Sequence, residues 1–288
     1  FSDDPNELQP LIESPCDTLI IAPREFGLTC LGLYMRLEAF RKNYFWLYID
    51  AEHAKARKIS DLIDEELLHY NQGLSDLKCI VLDSWDAGSI DHITMVKNIT
   101  SKLPDMPLVI LAEDSLELDT TGNLSKLNKN FQLLHLQALS RSSMRQLVAG
   151  YSVSKQIGTE DVLLSGLAEH LETINVHRTP LNCHTLLRVL DSNYNEKLLN
   201  KTKLLKAILF ILFTDSDSFS YLSNKPDVEE CTYVLGRFCK DLVKNGTRSF
   251  DATTFTPALD GICKSDCITL NIEAMLDVLL ENNILVRH

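Results

Sequence analysis

Short apolar runs rich in β-branched and aromatic residues alternate with longer helical patterns through the first half of this 288-residue chain. Such alternation is typical of βαβ units, in which parallel strands form one sheet covered by helices. Helices are predicted near 28–40, 54–70 and 89–101, and the polar stretch 113–130 is predicted to be a loop. The predicted fold class is α/β with a parallel five-stranded sheet, its strands at 18–22, 45–49, 79–83, 108–112 and 131–136.

The second half of the chain carries helical patterns before a strand-like run at 284–288. Ser140 precedes the first of them and is expected to cap it. The predicted helices lie at 142–152, 160–173, 181–192, 201–213, 228–244, 256–263 and 272–281. We predict three domains, an α/β core over 1–139, a helical subdomain over 140–198 and a winged-helix-like domain over 199–288. For the last one a plain helical bundle stays open, because periodicity does not separate the two.

Composition narrows the classes of partner. The formal net charge of −12 opposes broad attraction to nucleic acid or to an anionic membrane. The longest apolar run, 204–213, is shorter than the ~18–20 residues of a membrane span. Without a secretory pattern, we expect a cytoplasmic protein, cut from a longer one, whose eight cysteines are reduced. Cys263 with Cys267, and Cys183 with His184, have metal-like spacing but no second matched pair, which disfavours zinc.

The loop between the first strand and the first long helix, residues 22–29, resembles a phosphate-binding loop. In the Walker A pattern GxxxxGK[ST], glycines let backbone N–H groups surround the phosphates, lysine reaches the terminal phosphates and the hydroxyl binds Mg²⁺. Gly27 and Thr29 match this pattern, whereas Ala22 and Leu28 replace its first glycine and its lysine. The alternative is a tight βα turn that uses Gly27 for its backbone freedom. Arg24, the one cation in the loop, is either a phosphate partner or a solvated surface residue.

The third predicted strand ends in an acidic segment, Asp83-Ser-Trp-Asp86. An acid at the carboxyl end of a buried strand beside a phosphate loop is the usual Mg²⁺ partner of Walker B chemistry, so Thr29 and Asp83 are the predicted metal residues. The alternative is an aspartate that caps the next helix. Ser84 stands where many such ATPases have a water-activating glutamate, and Asp86 is the nearest candidate catalytic replacement.

Four segments together resemble the STAND class of P-loop NTPases, an AAA+/NACHT-like group, and especially its bacterial members in antiviral defence and signalling. The likeness extends over about residues 15–195. Its motifs are Pro23-Arg24 with Gly27 and Thr29, Leu82 to Asp86, Leu136 to Leu147, and His177 to Leu181. In the family the last of these is a lid motif whose proline, here Pro180, packs near the base.

The resemblance implies a module that holds ATP or ADP with Mg²⁺ between core, lid and winged helix. It also implies that the arrangement of these parts changes with the nucleotide. Partners are then the other domains of the same longer chain, protein partners or further copies in a homo-oligomer. The residues expected at the nucleotide are Pro23, Arg24, Phe26, Gly27, Thr29, Cys30 and Pro180.

The chain departs from the family where catalysis occurs, at Leu28, Ser84 and Ala87, and its fourth strand ends without the arginine that some members have there. Loss of the lysine removes charge-assisted contacts of about 1.5–3 kcal/mol, equal to roughly ten- to hundredfold in affinity. Hydrolysis is therefore expected to be impaired or absent.

Three functions are compatible with these observations. The first is a nucleotide-binding regulatory switch, and the second is a scaffold or interaction module that has lost its ligand. The third is an origin-recognition-like ATPase that binds DNA through a patch of Lys240, Lys244 and Arg248. The net charge disfavours this third function, and the patch is more simply a solvated helix face.

Overall fold

The computed structural model of the chain describes residues 8–23, 25–114, 127, 129–154, 159–192, 201–214, 228–247, 250–281 and 285. Its strands are β1 (Thr18–Ala22), β2 (Phe45–Asp50), β3 (Leu77–Trp85), β4 (Leu108–Glu113) and β5 (Gln132–His135). They form one sheet in the order β2-β3-β4-β1-β5, and its pairings are parallel. The predicted five-stranded parallel sheet is therefore confirmed.

Helices cover both faces of this sheet. They are α1 (Leu8–Glu13), α2 (Leu28–Arg41), α3 (Ile59–His69) and α4 (Ile90–Lys102), with a 3₁₀ turn at Ala56–Lys58. On one face Met35 of α2 packs in an apolar cluster with Val81 and Leu111, and on the other Ile63 and Val96 pack with Leu82. Because neither face meets water, β1 is buried along its whole length, as central parallel strands are.

The boundaries of the strands and helices in this half lie within two residues of those predicted, with three differences. The helix α3 begins at Ile59 instead of near residue 54, and a 3₁₀ turn at Ala56–Lys58 precedes it. The helix α1 was not predicted, because its six residues are too few to show a helical period. Within the predicted loop 113–130, Leu127 is fully buried in the cluster beneath α3 and α4. The other residues from 115 to 128 lie outside the described part of the chain.

The second half is helical wherever the structure describes it. Its helices are α5 (Arg141–Ser154), α6 (Glu160–Ile174), α7 (Pro180–Ser192), α8 (Lys201–Thr214), α9 (Val228–Asn245), α10 (Ala252–Ser265) and α11 (Ile272–Glu281). Ser140 caps α5, since its Oγ accepts a hydrogen bond from the Ser143 N–H at 3.0 Å. Helix α10 begins four residues earlier than predicted because Asp251 caps it through the Thr254 N–H at 2.8 Å. The strand-like run 284–288, apart from Leu285, lies outside the described residues, so the winged helix stays a prediction.

Contacts divide the chain into two compact units, Phe1–Leu147 with His177–Asn182, and Val148–Val176 with Cys183–His288. In the first unit the Leu139 N–H donates to the Arg178 carbonyl at 2.8 Å, which attaches the segment His177–Asn182 to the chain leaving β5. In the second, Phe238, Phe250 and Phe255 form one aromatic cluster with centroids 5.1–5.4 Å apart. The predicted borders at 139 and 198 differ from these limits and remain predictions.

Candidate nucleotide site

The loop after β1 places a helix N-terminus at the carboxyl edge of the sheet. Gly27, the N-cap of α2, has φ 90° and ψ 32°, a left-handed conformation that glycine adopts at little cost. Glu25 is also left-handed, with φ 66°. Gly27 provides no side-chain cap for the first turn of α2. The first N–H groups of a helix have no partner within the helix, and a helix N-terminus of this kind favours phosphate.

Leu28, at the position of the Walker lysine, is half-buried and packs against the apolar cluster between α2 and the sheet. A lysine ammonium there would have to leave this cluster to reach a phosphate, whereas leucine contributes apolar contact. Pro23 and Cys30 are exposed, and Cys30 is a free thiol. Arg24, the remaining predicted phosphate partner, lies outside the described residues.

The two predicted metal residues are linked by a side chain from a third element. Asp83 is buried, with 3% of its surface exposed, and its Oδ2 accepts a hydrogen bond from the Tyr48 hydroxyl at 2.5 Å. The Thr29 side chain acts on the same phenol, whose pKa it lowers. Tyr48 therefore lies next to both predicted metal residues, one at the start of α2 and the other at the end of β3.

Burial raises the pKa of the Tyr48 phenol above its usual range, and the hydrogen bond to Asp83 and the charges of Asp83 and Asp50 act in the same direction. The Thr29 side chain opposes them but contributes least. At neutral pH the phenol therefore stays protonated, and its O–H group donates a hydrogen bond to the Asp83 carboxylate.

The segment His177–Asn182 belongs to the same compact unit as the loop after β1 and lies beside that loop. The Phe26 and His177 rings lie 5.7 Å apart, and a Cβ on Gly27 would be 3.9 Å from Pro180 Cγ. Pro180 is exposed and is the first residue of α7, where its missing N–H costs nothing, and Thr179 caps the helix through the Asn182 N–H at 3.1 Å. The structure thus brings Phe26, Gly27 and Pro180 together, and their contact with a nucleotide stays a prediction.

Asp86, the candidate catalytic acid, has a local structural role. It is exposed, and its Oδ1 accepts a hydrogen bond from the Gly88 N–H at 2.8 Å. Ser84, where a water-activating glutamate is expected, is left-handed with φ 56° and interrupts the register of β3 with β4. Neither residue shares a described hydrogen bond with Asp83, Tyr48 or Thr29.

The carboxyl edge of the sheet beside the loop after β1 is acidic. Asp50 of β2 pairs in register with Asp83 of β3, and Glu113 of β4 pairs with Ala22 at the start of the loop. The His53 Nδ1 lies 2.9 Å from Oδ2 of Asp50. Within the described residues no group of three or more His, Cys, Asp or Glu side chains is arranged to hold a metal ion.

The sequence analysis missed Tyr48 and Gly32. A Cβ on Gly32 would lie 2.7 Å from Leu111 Cδ1 and 3.1 Å from Tyr48 Cε2, so a larger residue there would require these side chains to move. The two-residue period of a strand could have pointed to Tyr48. Residues 48 and 50 of a strand face the same side, so the tyrosine is on the side of the acid at the strand end.

Other predictions concern surfaces away from this edge. None of the eight cysteines, all of which lie in the described part of the chain, forms a disulfide, and four of them are buried. Lys240 and Lys244 are exposed one turn apart on α9, and Arg248 lies outside the described residues. Among the described helices none is long and apolar enough to cross a membrane.

No protein-family model matches the sequence, and no curated protein is significantly similar to it. Solved structures share its fold at low identity. A DNA replication initiation factor has a TM-score of 0.50 at 13% identity, over 94% of this chain and 90% of that one. AMPPCP-bound DnaA from Aquifex aeolicus has a TM-score of 0.48 at 14% identity, over 94% and 90% of the two chains. Cdc6p from Pyrobaculum aerophilum has a TM-score of 0.46 at 14% identity, over 96% and 83%.

At these identities the likeness concerns the fold alone. The parallel five-stranded sheet with helices on both faces, and the match to the replication initiation factor, show that the chain has the α/β fold of AAA+ P-loop ATPases.

Proposed function

We propose that this chain is a nucleotide-binding regulatory module of the STAND type, which holds ATP or ADP at the loop after β1 and does not hydrolyse it. The observation that carries the proposal is the left-handed Gly27 in front of an uncapped α2 N-terminus, facing Pro180. Backbone N–H groups and the helix dipole attract a phosphate without a lysine.

The absence of turnover follows from three positions. Leu28 packs in the apolar cluster, so its side chain offers no charge to the terminal phosphates. Ser84 supplies no carboxylate for the attacking water. The Asp83 carboxylate already accepts a hydrogen bond from the Tyr48 hydroxyl. Phosphoryl transfer relies on electrostatic stabilisation by lysine and metal, and losses at all of these positions are expected to remove it.

A regulatory role is supported by the segment His177–Asn182. It contacts the loop through His177 and Pro180, and it continues into helix α7. A nucleotide that orders the loop would therefore also act on this segment, which links the site to the helices that follow. The partners proposed for such a switch are other domains of a longer signalling or defence protein and further copies of the chain, in the cytoplasm.

The proposal is tested by mass spectrometry of denatured protein for co-purified ADP or ATP, and by calorimetric titration of both nucleotides into the wild type. A Gly27→Val variant places a β-branched side chain in the left-handed position and is expected to lower affinity by about tenfold or more. Gly236→Ala is the matched control, because this exposed helical glycine has nothing within 4 Å of the added Cβ. Its affinity should equal that of the wild type.

Two results would contradict the proposal. One is a protein that purifies empty and gives no binding heat with millimolar ATP or ADP. The other is phosphate release that depends on Mg²⁺ and disappears in Asp83→Ala, since it would show an active ATPase.

The second candidate function is a scaffold or protein-interaction module that keeps the fold and binds no nucleotide. The packing of Leu28 into the apolar cluster and the acidic edge at Asp50, Asp83 and Glu113 favour it. In that case Gly27→Val changes stability but no ligand affinity, and an empty wild-type protein is the expected finding.

A further inference from the structure

The fold family implies a Mg²⁺ ion between Thr29 and Asp83, and the residues present do not fit one. Mg²⁺ requires near-octahedral oxygen ligands at ~2.0–2.1 Å and retains several waters. In this chain the Tyr48 oxygen lies 2.5 Å from Asp83 Oδ2, and the Thr29 side chain acts on the same phenol. The phenol therefore fills the volume in which a cation shared by these two residues would lie.

The phenol also performs the electrostatic task of a cation toward Asp83. That carboxylate is 3% exposed, and a buried carboxylate is costly unless a donor or a positive charge faces it. The Tyr48 O–H supplies the donor from within the fold. A neutral phenol does not in turn attract phosphate oxygens as Mg²⁺ does, so the substitution satisfies the protein side of the site only.

The position of Tyr48 is fixed by the fold from three sides. The register of β2 with β3 places Tyr48 beside Val81 and Asp50 beside Asp83, so the ring extends diagonally toward the Asp83 carboxylate. On the helix side, Gly32 leaves the space that the ring needs. Tyr48 itself packs against the cluster under α2. These contacts hold the phenol beside Asp83.

We infer that the Tyr48 hydroxyl takes the place of the divalent cation between Thr29 and Asp83, so that this site excludes Mg²⁺. For a bound nucleotide this deepens the proposed function and rests on it: ATP or ADP would be held without metal. In the nucleotide-free protein, the exclusion of Mg²⁺ by Tyr48 does not depend on the proposed nucleotide binding.

The test is a titration of Mn²⁺, a paramagnetic probe for Mg²⁺ sites, into the nucleotide-free chain, followed by electron paramagnetic resonance. The proteins are the wild type, Asp83→Asn, Tyr48→Phe and Tyr48→Phe with Asp83→Asn. Asp86→Asn is the matched control for an acid at the same sheet edge that does not contact the phenol. Thermal unfolding confirms that each variant is folded.

We expect Asp83→Asn and Asp86→Asn to leave the Mn²⁺ affinity of the wild type unchanged, because Asp83 is not available to the ion. Tyr48→Phe should gain a site at least about tenfold tighter, and the added Asp83→Asn should remove it. The inference is overturned if Asp83→Asn weakens Mn²⁺ binding to the wild type about tenfold or more, a comparison that needs no Tyr48 variant. It is also overturned if folded Tyr48→Phe gains no site. Because nucleotide is absent, neither result bears on the proposed nucleotide binding.

Discussion

The loop after β1 and the end of β3 differ in what they share with a Walker-type site. In the loop, Gly27 is left-handed before α2, while Leu28, at the position of the Walker lysine, is half-buried against an apolar cluster. At the end of β3 the acid is present, because Asp83 is buried there, and its partner is the Tyr48 phenol. The loop therefore has the backbone form without the lysine, and the strand end has the acid with a phenol beside it. In both regions contacts within the fold account for the position of the side chain.

The largest expected effect is on the β3 side of this comparison. Tyr48→Phe removes the hydrogen bond to a buried carboxylate, and we expect the free energy of unfolding to fall by about 3 kcal/mol in the presence of a chelator. Millimolar Mg²⁺ should restore part of this loss in the variant and none in the wild type. Chemical denaturation with and without Mg²⁺ measures both. A loss below about 0.5 kcal/mol would show that the phenol does not stabilise Asp83.

On the loop side, Leu28→Lys restores the missing charge on an unchanged backbone. If the loop geometry is intact, ADP affinity should rise about ten- to hundredfold, which corresponds to the 1.5–3 kcal/mol of a charge-assisted contact. Phosphate release should stay absent, because Ser84 and Tyr48 are unchanged. Leu28→Met, which introduces an unbranched side chain like that of lysine but without its charge, is the control. Equal affinities in the Lys and Met variants would mean that the loop no longer faces a phosphate.

The two regions also differ in their response to pH. The raised pKa of Tyr48 means that the folded state keeps a proton that the unfolded chain releases above pH ~10. Ionisation then favours the unfolded state, so the stability contributed by this group is present below pH ~10 and is lost as pH rises further. Unfolding midpoints between pH 9 and 11 should therefore fall more steeply in the wild type than in Tyr48→Phe. Parallel slopes would contradict a buried, protonated phenol.

The smallest expected effect is at Asp86. Because its carboxylate is exposed and accepts only the Gly88 N–H, Asp86→Asn should change stability by less than about 0.5 kcal/mol and leave nucleotide affinity unchanged. Calorimetry and thermal unfolding measure the two quantities. A tenfold loss of ADP affinity in Asp86→Asn would show that Asp86 takes part in nucleotide binding.

Much of the fold was predictable from local pattern. The strand Thr18–Ala22 and the helix that starts at Leu28 follow from a buried β-branched run, a glycine and a helical period. Gly27, Thr29 and Asp83 could be proposed as site residues because each is marked by its own neighbours in sequence, and that assignment stays a prediction. The cap of α10 shows the limit, since Asp251 starts that helix before its apolar period begins.

What the sequence did not reveal depends on contacts between distant segments. Tyr48 is 35 residues from Asp83, and their bond requires the order and register of two strands. The inward side chain of Leu28 depends on the cluster beneath α2, and the closeness of Gly32 to Tyr48 depends on the approach of α2 to the sheet. The spacing of apolar residues within one helix or strand does not predict any of these contacts.

A nucleotide site that works without a metal is the central claim, and calorimetric titration of ADP into the wild-type chain, in a chelator and then in millimolar Mg²⁺, tests it most directly. The account predicts binding with dissociation constants that agree within about threefold in the two conditions. Affinity that rises about tenfold or more with Mg²⁺ would contradict the substitution by Tyr48. Absence of binding in both conditions would contradict the nucleotide site itself.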